Sequence, residues 1–232
     1  MPKPLEPIQR RVLGVLIEKG LATPQYYPLT LNLLTAGCNQ KNNRDPEMDL
    51  SEGDVQATLD GLQPQGLAVA LHAEGARALK WKAGAKPVYG LEGGKELAIL
   101  AELLLRGPQT KAELRARAAR MAPELTAEDV DRILAAFAAR PEPLAFNLGR
   151  APGGRAERYA HGLYSEEEVA ALKAGALAAS PTSGPPLAPG EDRGEGRSDV
   201  ASRLDRAFAE IEALRARVDA LERDVADLRG SR

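Results

Sequence analysis

Leu50-Ser51-Glu52-Gly53-Asp54-Val55, followed by Leu59 and Leu62, and Leu125-Thr126-Ala127-Glu128-Asp129-Val130, followed by Leu134 and Phe137, are one pattern written twice at an offset of 75. In each, a hydroxyl residue stands where it can accept from an orphan backbone N–H, acidic residues fill the first turn, and apolar residues recur on one helical face. The pattern predicts a capped, half-buried helix over 51–63 and again over 126–139. A second match lies upstream: Val12-Leu13-Gly14-Val15-Leu16-Ile17-Glu18-Lys19-Gly20 aligns with Ile99-Leu100-Ala101-Glu102-Leu103-Leu104-Leu105-Arg106-Gly107 at an offset of 87. Both runs read as helices ending on a glycine. The fall in offset from 87 to 75 gives the first copy 12 extra residues between these helices, part of them in Cys38-Asn39-Gln40-Lys41-Asn42-Asn43-Arg44-Asp45-Pro46.

A middle helix fits Leu29 to Ala36 in the first copy and Thr110 to Met121 in the second. Each third helix is followed by two strand-like runs. In the second copy they are 144–148 and 157–161, joined through Ala151-Pro152-Gly153-Gly154; in the first they are 67–71 and 88–91, joined by a loop from Glu74 to Pro87. Three helices and a hairpin, used twice, is the order of a winged helix-turn-helix domain. The plainer alternative is an unrelated pair of small α+β domains. The expected fold class is therefore α+β, mainly α: winged-helix domain 1 over 5–91, winged-helix domain 2 over 94–175, a linker and a C-terminal coiled-coil helix.

Composition agrees with this plan. The chain has 232 residues, 44% apolar and 28% charged, enough for two domains with buried cores. Lys and Arg number 31 against 33 Asp and Glu, a net charge of -2, which excludes a uniformly cationic nucleic-acid coat; any electrostatic footprint must be local. One cysteine forbids an internal disulfide, and with two histidines it cannot close a zinc site, so no metal or cofactor is expected. No run of 18 apolar residues exists and Met1-Pro2-Lys3-Pro4-Leu5-Glu6 lacks a signal-peptide core, so the expected location is cytoplasmic, without membrane contact.

Residues 181 to 199 hold four Pro and four Gly with polar residues between, too little apolar surface to offset ordering entropy. A disordered linker is expected over 180–199. Beyond it, over 200–229, apolar residues fall on a heptad, with Leu204, Ile211, Val218 and Val225 at a and Val200, Ala207, Leu214, Leu221 and Leu228 at d. Branched residues at a with mostly Leu at d favour a parallel two-stranded coil. In a parallel pair each g residue faces an e residue five positions later, and Glu210 with Arg215, Arg217 with Glu222 and Asp224 with Arg229 are all opposite in sign. The expected partner is thus a second copy of the chain; a helix folded back on its own body is the alternative.

Winged helices ordinarily read DNA with a cationic or amide-rich third helix. Here residues 51 to 63 carry Glu52, Asp54 and Asp60 with no Lys or Arg, and 126 to 139 carry Glu128, Asp129 and Asp131 against Arg132 alone. Carboxylates aimed at phosphates oppose binding. The basic residues sit in the hairpins: Arg77, Lys80, Lys82 and Lys86 around Trp81 in the first, Arg150, Arg155 and Arg158 beside Glu157 in the second. They suit backbone or minor-groove contacts, or equally a hairpin edge kept charged against aggregation. In the insert, Asn39, Gln40, Lys41, Asn43 and Arg44 form the most function-like stretch, able to reach bases or phosphates, or else to cap helices and satisfy loop backbone. Cys38, His72 and His161 have no evident catalytic partner by spacing, and Gly93-Gly94 and Gly153-Gly154 lack the context of a phosphate loop.

At several of these residues the chain resembles the YceH-like family of uncharacterised bacterial proteins. The resemblance rests on Arg11-Val12-Leu13-Gly14 with Ile17-Glu18-Lys19, on Thr23-Pro24 through Tyr27-Pro28-Leu29, on Cys38-Asn39-Gln40-Lys41 with Asn43-Arg44-Asp45-Pro46, on Leu105-Arg106-Gly107-Pro108-Gln109-Thr110 with Glu113-Leu114-Arg115, and on Pro152-Gly153 with Arg155, Arg158-Tyr159 and His161. It implies a tandem winged-helix body and no established activity. Glu47 departs from it, standing where an apolar residue is expected. The functional expectation is a non-enzymatic, dimeric protein that binds duplex DNA or assists a complex on it; the alternative is an adaptor whose acidic third helices hold a basic protein partner and which never touches nucleic acid.

Overall fold

In the computed structural model, which describes residues 3–72, 79–150 and 156–175, the same six elements occur twice. The first set is α1 (Pro7–Ala22), β1 (Leu29–Thr30), α2 (Leu31–Cys38), α3 (Glu52–Leu62), β2 (Ala68–Leu71) and β3 (Lys80–Ala83), with a single-turn helix α4 (Ala85–Val88) after it. The second is α5 (Gly94–Arg106), β4 (Gln109–Thr110), α6 (Lys111–Ala118), α7 (Ala127–Ala138), β5 (Ala145–Arg150) and β6 (Glu157–His161), trailed by α8 (Glu166–Lys173). The two antiparallel sheets are ordered β1-β3-β2 and β4-β6-β5, so in each the last strand lies between a two-residue strand and its hairpin partner. The class is α+β, mostly helical. By its contacts the chain divides into Met1–Ser180 and Pro181–Arg232; the linker and coiled coil expected over 180–199 and 200–229 lie outside the described residues.

The capping chemistry that suggested the duplication also builds it. The hydroxyls of Ser51 and Thr126 accept from the N–H groups of Asp54 and Asp129, whose carboxylates reach back to the capping residue's own N–H. The hydroxyls of Thr30 and Thr110 likewise accept from the N–H groups of Leu33 and Glu113 to cap α2 and α6, each at the end of its two-residue strand, but only Glu113 reaches back to complete the box. Aligning these threonines divides the first copy's extra residues between the α1–α2 connection and the stretch after α2.

Two local expectations need correction. The second strand of the first hairpin is Lys80–Ala83, not 88–91: Trp81 pairs with Leu29 and Ala70 and is buried, while Val88 and Tyr89 belong to the α4 turn after Gly84. Lys-Trp-Lys-Ala alternates with the period of a strand, and its lone inward indole anchors it. Helix α1 also runs past Gly20 to Ala22, because Gly20 lies inside it against the Tyr27 ring; α5 does stop at Arg106, before Gly107 at φ +67.

The two sets share one core. Helices α1 and α5 pack antiparallel: Gly14 lies against Leu104 and Leu105 near the end of α5, and Leu21 lies against Gly94 at its start. A Cβ on Gly14 would stand 2.8 Å from Leu105 Cδ2, so glycine is what permits this approach. The sets also share a matched constriction. A Cβ on Gly84 would stand 1.8 Å from the Gly66 carbonyl oxygen, and one on Gly162 1.8 Å from that of Pro143. Each glycine N–H donates to the residue that leads into its hairpin, Gly84 to Leu67 and Gly162 to Leu144. Helix α8 then returns to α1 through a bidentate Arg10–Glu168 pair, and Leu5 N–H donates to Leu163 O. Among the described residues no helix is long and apolar enough to cross a membrane.

Candidate nucleic-acid interface

Lys80 and Lys82 stand exposed on the central strand β3, on the face opposite buried Trp81. This strand, expected from sequence to be loop, is what aims both ammonium groups outward together. Register gives their counterparts: Thr30 pairs with Lys80 and Leu29 with Trp81, as Thr110 pairs with Arg158 and Gln109 with Tyr159. Each copy therefore carries a cation and then an aromatic ring at the same place. The two cations differ in circumstance. Arg158 is half-buried and donates to Pro108 O, whereas Lys80 is exposed. Arg150 is exposed at the end of β5, opposite Glu157, whose carboxylate accepts from Asn147 and the Tyr159 hydroxyl. Lys86 is exposed on α4, and Arg77 and Arg155 lie outside the described residues.

The insert is drawn inward. Asn39 clamps the backbone of Leu50, donating to its O and accepting from its N–H, both at 2.8 Å. Asn43, at φ 61, accepts from Arg106 at 2.6 Å, and Asp45 N–H donates to Leu105 O. Arg44 is 5% exposed: it meets Glu18 through both terminal nitrogens and donates as well to the carbonyls of Gly37 and Asn43 and to Gln40. Beside it, buried Arg11 donates to the carbonyls of Cys38 and Pro46; burial, with Arg44 nearby, lowers its pKa to about 10. Of the five insert residues named from sequence, Gln40 and Lys41 are exposed, Asn39 and Asn43 are half-buried, and Arg44 is inside.

That inward turn builds the seam between the copies. Glu18 of α1 accepts from Arg44 and from Arg120, and Arg120 also holds Glu102 of α5 at 2.5 Å. Burial opposes charge on Glu18, but hydrogen bonds and attraction from Arg44, reinforced by Arg120, hold its carboxyl below the ordinary value. Nothing in the sequence pattern joined residues 18, 44, 102 and 120; the only mark is that Glu18 and Glu102 stand within otherwise apolar helical runs.

The acidic third helices are occupied locally. Asp54 and Asp129 complete their caps; Asp129 also binds Lys95 at 2.6 Å and Arg132 at 2.8 Å, and those donors hold its carboxyl well below the usual range. Glu52 accepts from Asn32, Asp60 from Gln56, and Asp131 pairs with Lys111, which also lies over the Tyr159 ring. The α3 surface carries no cation, and the one cation of α7, Arg132, is paired. Of the three groups singled out from sequence for nucleophilic or acid–base chemistry, Cys38 and His161 are enclosed and His72 is exposed at the end of β2. Burial pushes the Cys38 thiol up to about 12, and buried His161, stacked on Tyr164 at 3.8 Å, accepts from Leu163 N–H through Nδ1 and is held well below its ordinary value by burial. Among the described residues no group of three or more His, Cys, Asp or Glu could hold a metal ion.

A family profile described as "Protein of unknown function, DUF480" matches residues 5–154. A UPF0502 protein of Geobacter metallireducens is 52% identical over 159 residues, 68% of this chain and 72% of that one. One from Geotalea uraniireducens is 42% identical over 212 residues, 91% of this chain and 90% of its own length. One from Burkholderia vietnamiensis is 38% identical over 224 residues, 97% of this chain and 84% of its own length, so the likeness extends past residue 181.

Proposed function

The chain belongs to the DUF480 family, and from that premise we propose that it is a non-enzymatic, cytoplasmic, tandem winged-helix protein that meets duplex DNA through its wings. The order helix, strand, helix, helix, strand, strand, with the last strand central in each sheet, supports the winged-helix reading. The observation that carries the DNA reading is the pair Lys80 and Lys82, side by side on an exposed strand face, while α3 offers no cation. Such contacts neutralise phosphates and position a protein without reading sequence, so binding is weakly sequence-dependent. Arg150 and Arg158 extend the same chemistry to the second wing, and exposed Gln40 and Lys41 offer further contacts; Arg44 takes no part. The C-terminal heptads pair two chains in parallel, raising the effective concentration of wings on one duplex.

The test is a titration of the full chain against unrelated duplexes at several salt concentrations. Affinity falls as salt rises, and Lys80→Ala with Lys82→Ala reduces the log–log slope by about 2, one for each phosphate no longer neutralised. No binding at low salt overturns the reading. It would promote the adaptor, which the wholly acidic charge of α3 favours and which predicts a basic protein partner released by Glu52→Lys with Asp60→Lys.

A further inference from the structure

We propose that the face built by residues 20–40 is a self-association surface, meeting the same face of a second copy across a two-fold axis. Four observations converge there. Residues 20–40 contain no Asp, Glu, Lys or Arg, in a chain with 28% charged residues. The two most exposed large apolar side chains among the described residues, Tyr26 at 68% and Leu33 at 48%, both lie within it. Tyr26 is turned outward by its neighbour: the Tyr27 hydroxyl accepts from Ala83 N–H at 2.6 Å and fixes that turn to the sheet. Finally, Leu33 occupies a position that elsewhere holds a cap.

The last point is the sharpest. Helices α3, α6, α7 and α8 each begin with Ser or Thr and complete a capping box with a carboxylate three residues on: Asp54, Glu113, Asp129 and Glu168. Helix α2 begins with Thr30 in the same way, yet its third position is Leu33 and the box is not formed. Aligning Thr30 with Thr110 puts Leu33 where the second copy has Glu113. An exposed leucine in place of a capping carboxylate gives up local stability and gains only apolar surface, which has use against a partner.

Charge selects the partner. In a two-fold dimer each patch meets its own copy, so a patch of one sign repels itself. The acidic α3 and the cationic face of β3 both fail that condition. The 20–40 face satisfies it: Pro24, Gln25, Tyr26, Leu33 and Ala36 are exposed and uncharged, while Lys19, which donates to Gln40, Lys80, which pairs with Thr30, and Glu52, which accepts from Asn32, give a rim of mixed sign. An uncharged centre containing tyrosine inside a polar rim is the anatomy of a protein interface. The inference is independent of the DNA reading and names a contact separate from the heptads.

Sedimentation equilibrium of the full chain tests it, with Tyr26→Asp and Leu33→Glu as variants. Each raises the self-association Kd by at least about tenfold, with the heptads unaltered in both. Leu33→Glu supplies the missing carboxylate of the box, so its melting temperature is equal to or above that of the wild type, which separates weakened association from impaired folding. A wild type that is monomeric at about 100 µM, or a Kd that neither substitution moves, overturns the proposal.

Discussion

The two six-element copies have the same order of strands, the same hydroxyl caps on their second and third helices, and the same glycine crossing after the last strand. They differ in what lies between those fixed points. The second copy passes from α5 to α6 through four residues, Gly107 to Thr110, and from α6 to the cap of α7 through 119–125; the first takes Thr23 to Thr30 over the same first step and the longer 39–50 strap over the second. The surplus of the first copy reaches the second: Asn43 holds Arg106, Asp45 binds Leu105, and Arg44 shares Glu18 with Arg120. Duplication sets the scaffold, and the residues that break the duplication join its halves.

The largest effect therefore comes from cutting the strap at its buried end. Arg44→Ala strands Glu18 beside a single remaining arginine and should cost about 3–5 kcal/mol. Because the core is continuous, denaturant melts followed by Trp81 fluorescence and by amide exchange in α7 should shift together; a loss confined to the first copy would break the comparison. Gly14→Ala comes next, since its methyl meets fully buried Leu105; about 1–3 kcal/mol is expected from overpacking, read as a lower urea midpoint.

Acid probes the same seam more gently. The Glu18 carboxyl is held below its ordinary value when folded, so its contribution is complete above the unfolded-state pKa of about 4.3 and is lost as pH falls through the folded value. Urea midpoints measured between about pH 2 and 6 should fall toward acid more shallowly in Glu18→Gln, which begins less stable. The smallest effects test equivalence. Ser51→Ala and Thr126→Ala each remove one hydroxyl cap and should each cost about 1 kcal/mol. Unequal losses would show that the matched caps carry different shares of the two helices.

The caps were legible because each is a local event, four residues whose side chains satisfy their own backbone. The second hairpin was legible for a similar reason, its strand-like runs standing on either side of Pro152-Gly153-Gly154 in the sequence. Strands β1 and β4 were not, since two residues have no periodicity to detect. Strand β3 was misplaced because Val88 and Tyr89 have more strand propensity than Lys80 or Lys82, and only the pairing of Trp81 with Leu29 decides between them. The candidate site divides in the same way. Lys80 and Lys82 were recognisable as cations but not as neighbours on one strand face. The side chains of 39–44 plainly carry hydrogen-bonding capacity that needs partners, and pattern alone could not say that the partner of Arg44 lay 26 residues back.

The antiparallel seating of α1 on α5 bears on synthesis. A chain made from its N-terminus produces α1, with Gly14 and its apolar neighbours, long before Leu104 and Leu105 exist to cover them. The pairing of Glu18 with Arg44 closes early within the first hundred residues, whereas Arg120 arrives later to complete it. The first copy therefore waits half-covered during translation, and the glycine that lets the helices touch also leaves a shallow place in an exposed apolar ridge until the second copy is made.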